Sequence, residues 1–224
     1  MQLSVIIPVF NEESTIKEIL ERVLGQNNVQ EIIIVDDGSS DKTFDILQRS
    51  KIKNSKLKIL RHLKNKGKGA AIRTGISKAK GDYILIQDAD LEYDPREYKK
   101  LIRELKFARV IYGSRIIGKS PHAYFLTYLG NIAITAICNI LFGTKLTDIY
   151  TCYKLIPANI IKNLQLNSNG FEIEGEITGK LLKRGISIRE VAIGYKPRSY
   201  EKGKKIKAKD AVKGALKLLS VRFS

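Results

Sequence analysis

Tryptophan is absent from this chain, and histidine and cysteine occur only twice each. His62 and His122 are too few and too separated for a zinc site. His62 reads as structural and His122 as uninformative. Cys138 and Cys152 lie in different segments and make neither a disulfide framework nor a metal-ligand spacing. They read as small buried hydrophobes, in keeping with a reducing compartment. Long apolar runs are missing too. The longest, Ile132 to Phe142, is broken by Thr135 and Asn139, well short of the roughly 20 residues that cross a bilayer. Met1 to Phe10 has no basic leader and is interrupted at once by Asn11, Glu12 and Glu13, so no signal peptide is expected. The expectation is a soluble or peripheral chain.

Acidic residues are in deficit: 23 Asp and Glu stand against 40 Lys and Arg, a net charge of +17. Such an excess implies an anionic partner, whether nucleic acid, acidic lipid or a phosphorylated substrate. No RNA-reading motif or recognition-helix pattern occurs, which argues against nucleic acid.

What is present alternates in character. Apolar, β-rich runs at 3–9, 31–35, 57–61, 83–87 and 108–112 read as buried strands. Helical spacing separates them at 12–24, 41–48, 69–80 and 95–105. Alternation with short loops predicts an α/β fold with a mostly parallel central sheet flanked by helices, in a single domain of 224 residues. Beyond residue 113 the pattern changes. Helices are expected over 124–142 and 169–184, a strand over 186–195, a basic loop over 198–209 and a terminal helix over 210–219.

Ligands of such sheets bind beyond the carboxyl ends of the strands, and the acidic clusters fall there. Asp88-Ala89-Asp90 ends the fourth strand, so two carboxylates are offered to one hard cation, which keeps positions open for phosphate oxygens. Asp36-Asp37-Gly38-Ser39 ends the second, where a carboxylate suits ribose hydroxyls or a base N–H. Asn65-Lys66-Gly67-Lys68-Gly69 opens a helix, the place where free N–H groups meet phosphate. It matches neither a Walker A loop nor the dinucleotide-binding glycine pattern.

In order, Val5-Ile6-Ile7-Pro8-Val9-Phe10-Asn11-Glu12, Ile34-Val35-Asp36-Asp37-Gly38-Ser39, Asn65-Lys66-Gly67-Lys68-Gly69-Ala70-Ala71, Gln87-Asp88-Ala89-Asp90-Leu91-Glu92 and Gly113-Ser114-Arg115 resemble the family-2 glycosyltransferases. The likeness is greatest to the dolichol-phosphate mannose and glucose synthases. It implies a glycosyltransferase A fold and an inverting, Mg²⁺- or Mn²⁺-dependent transfer of a hexose from a nucleotide sugar to a polyprenyl phosphate. Residues 1–115 would form the donor half and 116–224 the acceptor half. By the same resemblance, Pro8, Phe10 and Glu12 line the nucleotide pocket with Asp36 or Asp37, Lys66 and Gly67. Asp88, Ala89 and Asp90 meet metal and diphosphate, with Glu92 as a further metal ligand where relatives often carry Gln. Arg115 faces phosphate. Thr147-Asp148 and Gly170-Phe171-Glu172-Ile173-Glu174 fall in acceptor-side segments, with Asp148 or Glu174 a base if the acceptor is a hydroxyl. The run from Tyr195 to Lys205 resembles a lid, with Arg198 and Lys204 as its cations. Lys207, Lys209, Lys213 and Lys217 are expected to face an anionic bilayer at the cytoplasmic side, directly or beside a membrane partner protein. The rivals are a glycan or other hydroxyl acceptor, a nucleotidyltransferase, and a basic module without activity.

Overall fold

The computed structural model describes residues 1–52, 54–121, 124–198, 205 and 208–224. Seven strands form one sheet: β1 Leu3–Val9, β2 Val29–Asp36, β3 Leu57–Arg61, β4 Tyr83–Ile86, β5 Val110–Ser114, β6 Lys154–Pro157 and β7 Ile188–Ala192. Their order is β3-β2-β1-β4-β6-β5-β7. All neighbours run parallel except at β6, which is antiparallel to both β4 and β5. The helices are α1 Ile16–Leu24, α2 Thr43–Ile52, α3 Lys68–Lys78, α4 Tyr98–Glu104, α5 Phe125–Phe142, α6 Ala158–Lys162, α7 Ile173–Lys183 and α8 Ala208–Phe223. A 3₁₀ turn at Pro95–Glu97, capped by the Asp94 side chain, leads into α4.

The central strands are buried on both faces, which is why β1 reads as an unbroken apolar run with every residue inside. The main core joins the sheet to α1, α3, α4 and α7. A smaller cluster of Ile134, Cys138, Leu146, Ile149 and Leu218 ties α5 to α8. Cys138 and Cys152 are buried free thiols, as expected.

Several expected bounds shift. The helix at 12–24 begins four residues late, because Glu12 to Thr15 form a turn that brings Glu12 to the site. The terminal helix takes in residues from 208, expected in the basic loop. β6 and α6 were not foreseen at all. β6 is four residues long and carries a fully buried lysine, Lys154, so nothing in its pattern marks an interior strand. Among the described residues no helix is long and apolar enough to cross a membrane.

Candidate active site

The carboxyl ends of β1, β2, β4, β5 and β7 converge on one cavity of about 560 Å³. Pro8 lies at the end of β1 and Phe10 and Glu12 follow it, Asp37 follows β2, Asp88 to Glu92 follow β4, Arg115 follows β5 and Tyr195 to Arg198 follow β7. α3 adds Lys68 with Gly67 just before it, α5 adds Tyr128 and Asn131 with Tyr124 just before them, and α7 adds Glu174.

The turn after β4 is built to present acids. Gln87 is fully buried. Its Oε1 accepts from the hydroxyls of Tyr98 at 2.7 Å and Tyr153 at 2.8 Å, while its Nε2 donates to the Asp88 carbonyl at 2.9 Å. Ala89 packs inward, 4 % exposed, which leaves the carboxylates on either side of it facing the cavity. Leu91 takes a left-handed backbone, φ 60°, a conformation that costs a non-glycine residue of order 1–2 kcal/mol. That kink returns Glu92 toward Asp90, whose Oδ1 accepts from the Glu92 N–H at 3.1 Å.

Each acid meets a cation. Asp88 Oδ1 is 2.8 Å from Lys68 Nζ, and Asp90 Oδ2 is 3.3 Å from an Arg198 Nη. Arg198 also grips Glu12 with both terminal nitrogens, at 2.9 and 2.7 Å, and Lys205 reaches the same carboxylate at 2.5 Å. Burial pushes Glu12 up, but its hydrogen bonds to Arg198 and Lys205 win and hold it below the usual range. Asp88 follows the same logic: Lys68 overcomes burial and keeps it low. Asp90 does not. Burial first, then the neighbouring Asp88 and Glu92, push it up to about 7 against the opposing Arg198. The acidic turn therefore holds more negative charge than the nearby cations neutralise, the condition that a divalent ion relieves. Asp88 and Asp90 fit such an ion.

Glu92 fits less well than expected. Its Oε2 accepts from the Tyr195 hydroxyl at 2.6 Å and its Oε1 from the Arg198 N–H at 2.7 Å. It anchors the segment after β7 rather than offering a free oxygen. Among the described residues no three acidic, histidine or cysteine side chains are grouped to hold a metal ion.

Other expectations are corrected by geometry. Asp36 is fully buried and away from the cavity; its Oδ1 accepts from the Ser39 N–H at 3.2 Å and its Oδ2 lies 3.1 Å from Arg61 Nε. Asp37 alone of that pair lines the cavity. The Lys66 side chain is exposed, and Lys68 enters the site instead. The N–H groups of Lys66 and Gly67 are spent on Asp37, at 3.0 and 2.7 Å. His62 braces the same carboxylate, with Nδ1 2.6 Å from Asp37 Oδ1 and Nε2 3.0 Å from the Thr74 hydroxyl. The glycines of this loop serve close backbone approach. Gly67 has φ 99°, and a Cβ there would lie 2.3 Å from the Asn169 carbonyl oxygen; one at Gly69 would lie 2.6 Å from that of Ser168.

Asp148 is not placed as a base. It is fully buried, and its oxygens accept from Arg115 Nε at 2.7 Å, Arg115 Nη2 at 2.7 Å and Asn131 Nδ2 at 3.0 Å. Burial pushes it up, yet Arg115 outweighs burial and holds it low. Arg115 in turn lies over the Tyr195 ring, 5.1 Å from its centroid. Lys204, Lys207 and His122 lie outside the described residues. Tyr195 and Lys205 fall inside the expected lid run and Gln87 inside the Asp88 motif, but their parts in building the site come from contacts to Glu92, Glu12 and Tyr98 that only the fold brings together.

Residues 4–164 match the model of "Glycosyl transferase family 2". The dolichol-phosphate mannosyltransferase of Pyrococcus furiosus is 32% identical over 192 residues, 79% of this chain and 52% of that protein. The UDP-N-acetylglucosamine–dolichyl-phosphate N-acetylglucosaminyltransferase of Methanococcus voltae is 30% identical over 211 residues, 84% of this chain and 83% of that protein. The chain spans about half the length of several curated relatives, among them the Pyrococcus protein. In three dimensions it is similar to glucosyl-3-phosphoglycerate synthase from Mycobacterium tuberculosis in complex with UDP, with a TM-score of 0.76 at 20% identity over 99% of this chain and 80% of that one. The fold is that of the glycosyltransferase A class, and the chain belongs to glycosyl transferase family 2.

Proposed function

We propose that this chain moves a hexose, with inversion, from a nucleotide sugar to a polyprenyl phosphate of the dolichyl type. The observation that carries the reading is a single cavity in which the strand-end acids Asp88 and Asp90 face Arg115, Arg198 and Lys68. Pro8, Phe10, Asp37 and Gly67 would hold the nucleoside, with residues 1–115 as the donor half and 116–224 as the acceptor half. Mg²⁺ or Mn²⁺ at Asp88 and Asp90 would supply positive charge to the departing diphosphate. Solved relatives of the same fold carry Mn²⁺ or Mg²⁺ with UDP.

The state of the acids favours a phosphate acceptor over a hydroxyl. A hydroxyl needs a base, whereas a lipid phosphate is already anionic and needs positioning and charge neutralisation. Asp148 is sealed under Arg115, and Glu174 is paired with Lys154 at 2.5 Å and Lys68 at 3.1 Å. Arg115 and Arg198 would orient the two phosphates, with Lys204 joining them. The names of the Pyrococcus and Methanococcus relatives support the same acceptor class.

A lipid acceptor calls for contact with a membrane. Tyr124, Tyr128 and Ile134 of α5 and Ala211 of α8 line the cavity on one side. Outside it, α5 exposes Phe125, Leu129, Ile132 and Ile140, and α8 exposes Val212, Leu216, Leu219 and Phe223. With Lys213 and Lys217 on α8, this is the composition of a helix pair that lies in an anionic interface. The chain would work peripherally at the cytoplasmic face, alone or beside a membrane protein.

The test supplies labelled nucleotide sugars, polyprenyl phosphate and Mn²⁺, and follows label into organic-extractable lipid. Metal-dependent extraction of label is expected. Transfer only to a glycan hydroxyl would replace this reading.

A further inference from the structure

Four charges run inward from the cavity in alternating sign. Asp88 Oδ1 lies 2.8 Å from Lys68 Nζ, Lys68 Nζ lies 3.1 Å from Glu174 Oε1, and Glu174 Oε2 lies 2.5 Å from Lys154 Nζ. Exposure decreases along the chain: the side chain of Asp88 is 20% exposed, Lys68 15%, Glu174 2% and Lys154 not at all. Lys154 is pinned further by the Thr151 carbonyl and lies 4.9 Å from the centre of the Tyr112 ring.

The two lysines are therefore differently bound. Lys154 has no path to solvent and fixes Glu174. Lys68 stands at the cavity wall on the first turn of α3, a point charge on a flexible four-carbon stem. Its contact with Glu174 has ion-pair distance, yet Glu174 Oε1 accepts no hydrogen bond. So Glu174 holds Lys68 in place by charge without fixing its geometry.

We infer that Lys68 is a partner-exchanging cation: it competes with a divalent ion for Asp88 and, when that ion takes the carboxylate, it turns to the donor's diphosphate. The inference rests on the proposed metal and donor site and deepens it. Lys68 Nζ on Oδ1 already shares the single negative charge of Asp88, so a divalent ion at the same carboxylate meets a repelling cation and a partly neutralised ligand, and Lys68 weakens its binding. Glu174, 3.1 Å away, keeps the displaced ammonium from being left buried and unpaired. The diphosphate brings the negative charge that Lys68 loses with Asp88. Metal and donor thereby bind as a pair, because each removes the penalty of the other.

The discriminating variants are Lys68→Met and Lys68→Gln, with Lys68→Arg as the charge-retaining control. Binding of Mn²⁺ alone is measured by calorimetry, and binding of nucleoside diphosphates is measured in saturating Mn²⁺. The neutral variants are expected to bind Mn²⁺ alone about tenfold tighter and the nucleoside diphosphate about tenfold more weakly, with Lys68→Arg close to wild type on both. Opposite signs separate this role from a structural one, since a damaged site weakens both. Unchanged or weaker Mn²⁺ binding in the neutral variants overturns the exchange, as does undiminished nucleotide affinity. The Gln variant stands in if Met does not fold, judged by thermal unfolding. If the wild-type chain binds no nucleoside diphosphate with Mn²⁺, the donor-site reading fails, and this inference with it. If it binds one and the variants do not differ, only Lys68 loses its role.

Discussion

Arg115 and Asp148 are joined by three hydrogen bonds: the Arg115 N–H donates to Oδ2 at 3.1 Å, Nε to Oδ2 at 2.7 Å and Nη2 to Oδ1 at 2.7 Å. Side chain and main chain of one residue thus close on one carboxylate, and the guanidinium is held in place within the cavity wall. Preorganised charge of this kind is effective because it needs no reorganisation during reaction.

Asp148→Ala is accordingly expected to unmoor Arg115 and leave its charge poorly compensated. Denaturant unfolding should show a loss of about 3–5 kcal/mol, as for other broken buried pairs. Asp148→Asn separates positioning from base chemistry. It should lower turnover but leave the acid limb of the pH–rate profile in place; disappearance of that limb would restore Asp148 as a base.

Asp90→Ala should abolish turnover with the fold intact, because it removes one of the two carboxylates proposed to hold the divalent ion. Its Mn²⁺ titration should be lost while thermal unfolding stays near wild type. Excess chelator should silence the wild-type chain likewise. Full activity in chelator would refute the metal assignment.

Tyr195→Phe should loosen the segment after β7, since Glu92 loses the hydroxyl at 2.6 Å. A hydrogen bond to a charged acceptor contributes about 1.5–3 kcal/mol, so a modest fall in stability and a raised donor KM are expected. Arg198→Ala should depress turnover about a hundredfold or more, as expected where transition-state charge loses a donor, with vesicle binding unaffected. Normal turnover on a water-soluble short-chain polyprenyl phosphate would remove Arg198 from the site.

Neutralising Lys213 and Lys217 together should do the reverse. Partition to anionic vesicles should fall by about 1 kcal/mol per lysine and become less sensitive to salt. Turnover on the same short-chain acceptor should hold. Leu216→Ser with Phe223→Ser should weaken binding to neutral vesicles too, because apolar area drives that part. Vesicle binding unchanged in both variants would remove α8 from the membrane surface.

Most of the strand-end acidic site could be read from the chain, because buried parallel strands leave unbroken apolar runs and their ends carry the acids. β1 and the Asp88-Ala89-Asp90 turn are instances. What escaped depends on partners far away in sequence. Lys154 makes β6 look like surface until Glu174, twenty residues on, is seen to pair with it. Asp148 looks free until Arg115, thirty-three residues back, closes on it. Lys66 and Lys68 are equivalent in a basic glycine loop, and only the first turn of α3 decides which one faces Asp88. The motif resemblance located the pocket; it did not say which of its acids were already spoken for.

The antiparallel strand β6 has a consequence for synthesis. It fills the gap between β4 and β5, so as the chain leaves the ribosome β4 has one edge unpaired and β5 has no partner until residues 154–157 arrive, and the outer edge of β5 waits longer still for β7. Domains usually fold as units during translation, and exposed strand edges invite pairing with other chains. The segment that carries the donor motifs therefore cannot mature ahead of the one proposed to receive the acceptor. Exchanging acceptor halves between relatives at residue 115 would cut through this dependence, whereas a graft confined to α5 or α8 would leave the sheet intact.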